Sequence, residues 1–138
     1  MVNLKLSNHE IVRQSFGRCC VQADFFDRFY EIFISHLPAN VAAKFANTDM
    51  PLQKLALKNG ISNLLSFAQG KTTGKMAIER LAESHDRNHI NIEPEHYNLW
   101  INSLLETLRE HDAQWENELE QHWVDTLRVG IDYMISRY

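Results

Sequence analysis

A run of large apolar side chains at helical spacing limits the folds that this chain can adopt. Its members are Phe25, Phe26, Phe29, Tyr30, Phe33, Ile34 and Leu37. Steps of one, three and four residues place them on one side of an α-helix. The run stops before Pro38, because proline disfavours helical backbone in the residue that precedes it. So many large side chains would not stay exposed in a monomer, so we predict a deeply buried helix over 24–37.

A scarcity of turn-forming residues extends this prediction to the whole chain. The 138 residues include only five Gly and three Pro. A β-sandwich or barrel needs turn chemistry roughly every 8–12 residues, which this content cannot supply. We therefore predict an all-α protein of six to seven helices, and its length favours a single domain over 1–138.

Capping signals and apolar periodicity set the boundaries of the other predicted helices. Ser7 followed by Glu10 is a capping box and begins the first helix. Thr48 or Asp49 caps a later helix that has Pro51 in its first turn, where proline is tolerated. The helices are predicted over about 8–20, 24–37, 50–68, 75–88, 93–111 and 112–137, with a single helical turn within 38–45.

Further expectations concern which side chains these helices bury. The inner stripe of the helix after Asp49 is predicted to be Leu52, Leu55, Leu57, Ile61, Leu64, Leu65 and Ala68. Gly60 lies in the middle of that helix at a cost of about 1 kcal/mol relative to Ala, for which close approach of another helix is the usual reason. Gln69–Gly74 is rich in Gly and Thr and is predicted to be a loop. The candidates for exposed aromatic side chains in the last helices are Trp115, Trp123 and Tyr133.

Charge, apolar runs and cysteines exclude several functional classes. The formal net charge of −4 argues against a general nucleic-acid binder, which needs a concentrated basic surface. No stretch approaches about 18 consecutive apolar residues, so no membrane span is predicted. Met1–Lys5 lacks the apolar run of a signal peptide. Cys19 and Cys20 are adjacent and cannot bridge within a helix without strain, so we expect a reduced, cytoplasmic protein.

His85 stands out among the seven histidines. It follows Leu81–Ala82 by one turn and lies on the apolar side of its predicted helix. On spacing alone it is either a buried structural histidine or a ligand. His85 and His89 are spaced i, i+4, which can place two imidazoles on one helix face as a metal site.

Other groups that could support chemistry are weaker candidates. Glu93 and His96 form a Glu-x-x-His unit, which di-iron bundles use twice together with two further carboxylates. The chain has only one such unit, and it begins a helix after Pro94. The adjacent cysteines have no basic neighbour except Arg18 and no glycine-rich turn, so nucleophilic catalysis is not predicted.

Several segments, taken in order, carry a more specific signal. They are Phe29-Tyr30, Phe45, Thr48-Asp49-Met50 with Gln53 and Leu57, Leu81-Ala82-Glu83-Ser84-His85, and Pro94-Glu95-His96-Tyr97. Together they resemble bacterial single-domain haemoglobins, and more closely the globin module of flavohaemoglobins, over essentially the whole chain. The resemblance implies a globin fold around a b-type haem, which would be held non-covalently because no Cys-x-x-Cys-His is present.

The resemblance assigns roles to residues on the proximal side of the haem. His85 matches the proximal histidine, whose imidazole binds the iron. Ser84 and the backbone one turn earlier would accept the other ring N–H. Tyr97 matches a proximal-side tyrosine, and Leu81 is expected to line the pocket. His89, in the bend after this helix, is expected to approach a haem propionate.

On the opposite, distal side the resemblance assigns Tyr30 and Gln53 as hydrogen-bond donors to a bound gas molecule. Phe45 would pack flat on the haem, and Leu57 would line the pocket. Tyr30 is also the only hydroxyl in the Phe-rich stripe, and a buried hydroxyl without a partner costs about 1–3 kcal/mol. Its alternative partner is a backbone carbonyl. Gln53 could equally be a surface amide, and Phe45 an ordinary core side chain.

The resemblance implies reversible binding of dioxygen or nitric oxide at ferrous iron. It also implies nitric oxide detoxification by dioxygenation, which would need an external reductase. The flavohaemoglobin glutamate that polarises the proximal histidine would fall near Tyr138, so a peroxidase-like electron push is not expected. The alternatives are a haem-based gas sensor that signals through a partner protein and a haemless interaction domain. We expect a monomer or homodimer.

Overall fold

Helices make up most of residues 6–138, the part of the chain that the computed structural model describes. They are α1 (Asn8–Cys20), α2 (Phe25–His36), α3 (Ala39–Ala42), α4 (Met50–Ala68), α5 (Thr72–His85), α6 (Pro94–His111) and α7 (Asn117–Ser136), with a 3₁₀ turn at Ala43–Phe45. No strand occurs within residues 6–138, which confirms the all-α prediction. The signal-peptide expectation rests on Met1–Lys5, which lie outside the described residues.

Side-chain caps begin two of the helices where the sequence predicts them. The Ser7 hydroxyl accepts the N–H of Glu10 at 3.2 Å, and the Glu10 carboxylate accepts the N–H of Ser7 at 3.2 Å. The Asp49 carboxylate accepts the N–H of Leu52 at 3.2 Å, with Pro51 in the first turn of α4. These bonds satisfy backbone donors that a helix start otherwise leaves free, so both predicted starts are confirmed.

The loop predicted over 69–74 is shorter than expected, because α5 already begins at Thr72. Gly74 therefore lies inside the helix, where an added Cβ would come within 2.5 Å of the backbone nitrogen of Phe67. This glycine allows α5 to pack closely against the end of α4, so its role is in packing and not in a turn. At its other end, α5 stops at His85, earlier than predicted.

The last helix also differs from its prediction, because α7 begins at Asn117 and Asp112 belongs to a buried network instead. The Asp112 carboxylate accepts hydrogen bonds from the Ser15 hydroxyl at 2.6 Å and from the Arg18 guanidinium at 2.7 and 2.9 Å. The Ser15 oxygen in turn accepts the indole N–H of Trp123 at 2.9 Å. Trp123 is completely buried, so the prediction that it is exposed was wrong.

The apolar stripe of α2 is buried as predicted, whereas that of α4 is buried as predicted only from Leu57 onward, at Leu57, Ile61, Leu64 and Leu65. Phe25 and Phe29 are completely buried, and their neighbours in the stripe are buried or half-buried. Leu52 and Leu55 are 63% and 55% exposed, contrary to the prediction. The inner face of α4 begins instead with Gln53, and it continues along the helix with Ala56, Leu57, Gly60 and Leu64.

The packing of the helices leaves space between four of them. Helix α4 packs against α5 and α7, α2 packs against α6, and α1 packs against α7. Side chains from α2, α4, α5 and α6 meet around a common cavity. Of the described helices, none has the length and apolarity that crossing a membrane would require.

Candidate functional site

A cavity of about 490 Å³ with largely apolar walls opens between α2, α4, α5 and α6. Most of the residues that the sequence predicts for a binding site line it. They are Tyr30, Phe45, Gln53, Leu57, Leu81, His85 and Tyr97. These residues come from five different segments, so the fold brings together side chains that are distant in sequence.

His85 lies at the end of α5 and its imidazole borders the cavity. Its Nδ1 is 2.8 Å from the carbonyl oxygen of Leu81 and 2.9 Å from the hydroxyl oxygen of Ser84. The carbonyl can only accept, so Nδ1 carries the proton and donates it there, and Nε2 keeps its lone pair. Burial lowers the pKa of His85 more than the Leu81 carbonyl raises it. A neutral imidazole with a free Nε2 is the form that binds a metal.

No carboxylate hydrogen-bonds to His85 within the described residues. Near the position where flavohaemoglobins have their glutamate, Tyr138 turns toward the bend that follows α5. Its hydroxyl donates to the side chain of Asn91, and its backbone oxygen accepts from Arg87 Nε at 3.1 Å. The imidazole of His85 is therefore oriented by a carbonyl and a hydroxyl, which are weaker acceptors than a carboxylate.

Across the cavity, Tyr30 and Gln53 form a hydrogen-bonded pair. Gln53 Nε2 donates to the Tyr30 oxygen at 3.0 Å, and the Tyr30 hydroxyl donates to the backbone oxygen of Gln53 at 3.3 Å. Burial raises the pKa of Tyr30 to about 12, against the opposite effect of the Gln53 hydrogen bond. The phenol is therefore protonated at neutral pH and available as a donor. The backbone carbonyl of Gln53 is thus the alternative partner for the Tyr30 hydroxyl that the sequence left open.

Phe45 brings an aromatic wall to the cavity from the 3₁₀ turn. Its ring centroid lies 6.1 Å from that of Tyr30 and 6.3 Å from that of Phe33. The ring is only half-buried, although it packs against the core. An aromatic side chain in a turn, with one side on the cavity, is suited to packing against a flat ligand.

His89 is not among the residues that line the cavity, and its approach to a haem propionate stays a prediction. Its Nδ1 lies 2.7 Å from the Asp86 carboxylate, whose hydrogen bond and charge raise the pKa of His89. Because α5 ends at His85, the two histidines do not share a helix face. The bend after α5 therefore directs this imidazole to the Asp86 carboxylate, and this geometry does not support the alternative of a two-histidine metal site on one helix face.

The Glu-x-x-His unit is brought together differently from a di-iron site. Glu93, Glu95 and His96 offer ligand atoms within 4.8 Å of one another. However, His96 Nδ1 accepts the backbone N–H of Glu93 at 3.3 Å, as part of the cap of α6. His96 is buried and lines the cavity, which the sequence interpretation missed. Its position directly before Tyr97 is the signal that could have revealed it.

Other cavity residues escaped sequence interpretation as well. An added Cβ on Gly60 would meet nothing within 4 Å, so this glycine borders open space and not the neighbouring helix that was expected. Ile90 and Ile92 line the cavity from the bend after α5. Two apolar side chains in an otherwise polar segment are a sequence signal of burial that could have identified them. Lys44 also lines the cavity, and its side chain is exposed.

Comparison with known proteins identifies the family. No protein-family model and no curated protein matches the chain. Among solved structures, it is similar to a Pseudomonas aeruginosa PAO1 protein, described as structurally highly homologous to a human haemoglobin, with a TM-score of 0.89. The sequences are 40% identical, and the match covers 96% of this chain and 98% of that one. The chain therefore belongs to the globin family.

Proposed function

We propose that this globin holds a b-type haem and binds dioxygen or nitric oxide reversibly at ferrous iron, with His85 as the ligand that the protein supplies. One observation carries the proposal: His85 borders an apolar cavity with Nδ1 bonded to Leu81, so that Nε2 is free to bind a metal. This is the arrangement that fixes the tautomer of a metal-binding histidine and raises its basicity.

The residues around the cavity suit a flat, apolar ring. Aliphatic and aromatic side chains form most of the walls, and Gly60 leaves open space where a side chain would otherwise project. Haem, when bound, would supply an iron atom that His85 could hold and that could take up a diatomic gas. The chain has no Cys-x-x-Cys-His motif, so attachment would be non-covalent.

The distal pair would make the pocket selective for ligands that accept hydrogen bonds. Tyr30 is 5% exposed and its hydroxyl is protonated, so it can donate inside a site from which water is largely excluded. Its present bond to the Gln53 carbonyl is 3.3 Å long, which is weak for an O–H donor, so turning the proton toward a ligand costs little. Leu57 and Phe45 keep the surroundings apolar, which strengthens such a bond.

We extend the proposal to nitric oxide detoxification with an external reductase, on the basis of the family resemblance. The apolar pocket and the Tyr30 donor support it, because they would limit escape of dioxygen as superoxide, its one-electron-reduced anion, before nitric oxide arrives. The sensor alternative was motivated by exposed aromatic side chains in the last helices. Trp123 is buried and Trp115 and Tyr133 are half-buried, so we do not retain it.

The experiment is to reduce the haem-loaded protein without air and then follow its visible spectrum as dioxygen is added and withdrawn. We expect a spectral change that reverses fully on withdrawal. Rapid mixing of the dioxygen-treated protein with nitric oxide should then yield nitrate. Immediate conversion of all the protein to the ferric form on contact with dioxygen, with no reversible stage, would refute reversible gas binding.

A further inference from the structure

A second histidine, His96, lines the same cavity as the half-buried His85. His96 is 8% exposed and lies in the first turn of α6. Its Nδ1 accepts a hydrogen bond from the backbone N–H of Glu93 at 3.3 Å. A neutral imidazole that accepts at Nδ1 carries its proton on Nε2. His96 therefore offers an N–H donor whose orientation is set by the helix cap, and within residues 6–138 that donor has no partner.

The polar N–H of His96 lies among cavity walls that are mostly apolar. The neighbouring lining residues Ile92, Tyr97 and Trp100 present mostly apolar surface to the cavity. The Nε2 atom keeps some access to the open cavity or to solvent, and a ligand that displaced water from it would leave the donor unpaired unless the ligand supplied an acceptor. The natural partner for Nε2–H is a ligand of the cavity that is apolar over most of its surface and carries an acceptor at its edge.

We propose that the Nε2–H of His96 donates a hydrogen bond to a propionate carboxylate of the haem. Haem b has two such carboxylates on one edge of an otherwise apolar ring, so it matches both the walls and the donor. A bond between an N–H and a carboxylate is charge-assisted and about twice as strong as a neutral one. This inference rests on the proposed function, since it needs haem in the cavity.

Three charged side chains near the site bear on this assignment. Lys44 lines the cavity but is exposed, so water and salt screen its attraction for a carboxylate. Glu93 and Glu95 would repel one. However, Glu93 lies at the positive end of α6, whose dipole offsets its negative charge, and Glu95 is exposed, where water screens it. Neither carboxylate accepts from Nε2 of His96, which stays available to a propionate.

The test compares haem loss from wild type and two variants, each loaded with hemin or with hemin dimethyl ester. His96→Asn keeps an oxygen near Nδ1 to accept the Glu93 N–H but has no atom at Nε2. His96→Gln places an amide N–H near Nε2. Haem loss is measured by transfer to an excess of a haem-scavenging apoprotein.

With hemin, we expect His96→Asn to lose haem about tenfold faster than wild type, as for the loss of one hydrogen bond to a charged group. His96→Gln should stay close to wild type. With the ester, whose carboxylates are neutralised, the ratio between His96→Asn and wild type should fall toward one.

Two results would overturn the inference while leaving the proposed function intact. One is a His96→Asn ratio of the same size with hemin and ester, which would show a general effect on the pocket. The other is a ratio of one with hemin. Wild-type protein that takes up neither form would overturn the proposed function and this inference together.

Discussion

Tyr30 satisfies both hydrogen-bonding capacities of its hydroxyl on one neighbouring residue. It accepts from the side chain of Gln53 and donates to the backbone oxygen of the same residue, at 3.0 and 3.3 Å. The accepted bond polarises the hydroxyl and makes it a stronger donor. The longer, donated bond is the one that a gas ligand would replace. The pair is thus prepared to release one hydrogen bond and form another without moving a helix.

Tyr30→Phe removes the donor while keeping the ring. We expect dioxygen to leave the haem-loaded variant at least about tenfold faster than wild type, because a hydrogen bond to a charged acceptor contributes about 1.5–3 kcal/mol. Dissociation rates from stopped-flow displacement with carbon monoxide would measure this. Tyr133→Phe, which changes a half-buried tyrosine away from the cavity, is the matched control. Equal dissociation rates in Tyr30→Phe and wild type would show that the Tyr30 hydroxyl does not bond to the ligand.

Individual residues show how far sequence reasoning reached. Helical spacing and the family resemblance together predicted His85, Tyr30 and Gln53, which all line the cavity. They did not reveal the contact of His89 with Asp86, because the bend after α5 has no periodicity from which the direction of a side chain could be read. In that bend Asn91 has a positive φ of 61° and turns the chain, which spacing alone does not reveal.

At the scale of elements, two glycines in neighbouring helices have opposite surroundings. Gly60 in α4 faces open cavity, and an added Cβ there would contact nothing within 4 Å. Gly74 in α5 lies against the end of α4, where a Cβ would come within 2.5 Å of backbone at Phe67. Sequence reasoning gave Gly60 a packing role and placed Gly74 in a loop, and both predictions were wrong. What surrounds each glycine is set by residues elsewhere in the chain, which a local pattern does not show.

The same substitution at these glycines should therefore have opposite effects. Gly60→Ala should stabilise the haem-free protein by up to about 1 kcal/mol, through helix propensity alone. Gly74→Ala should destabilise it by at least about 1–3 kcal/mol, because backbone must shift to admit the methyl group. Urea unfolding followed by circular dichroism measures both. A destabilised Gly60→Ala together with an unchanged Gly74→Ala would contradict the packing described for α4 and α5.

Helix boundaries were predicted well where a local cap defines them and poorly where a distant contact does. Ser7 begins α1 through a neighbour three residues away, which a sequence shows directly. Asp112 was assigned to α7, although its carboxylate binds Ser15 and Arg18 of α1. The burial of Trp123 likewise depends on Ser15, which is 108 residues away in the chain. Only the assembled fold shows such partners.

At the scale of the whole molecule, this network joins α1, the end of α6 and α7. Burial by itself would raise the pKa of Asp112, but hydrogen bonds from Arg18 and Ser15 outweigh it and hold the pKa below the usual value. The folded protein therefore binds this proton less readily than the unfolded chain. The stabilisation is complete above the usual aspartate pKa of about 4 and is lost as pH falls through the lower, folded value.

Asp112→Asn should lower the free energy of unfolding by about 2 kcal/mol at neutral pH, since it leaves Arg18 without its partner. Below about pH 4 its stability should fall less steeply than that of wild type, because the titrating group is gone. Urea unfolding of the haem-free protein at a series of pH values measures both effects. Asp27→Asn, which breaks the more exposed pair with Lys54, is the control and should cost less than about 1 kcal/mol. Parallel acid profiles for Asp112→Asn and wild type would refute the role of the network.

The visible absorption spectrum during titration with hemin shows directly whether this chain binds haem through His85. Wild type should develop a Soret band that saturates at one haem per chain and shifts on reduction and on addition of carbon monoxide. His85→Gly should lose most of this signal, and added imidazole should restore it by occupying the space of the missing side chain. No Soret band in wild type, or full haem occupancy with an unchanged spectrum in His85→Gly, would contradict the account.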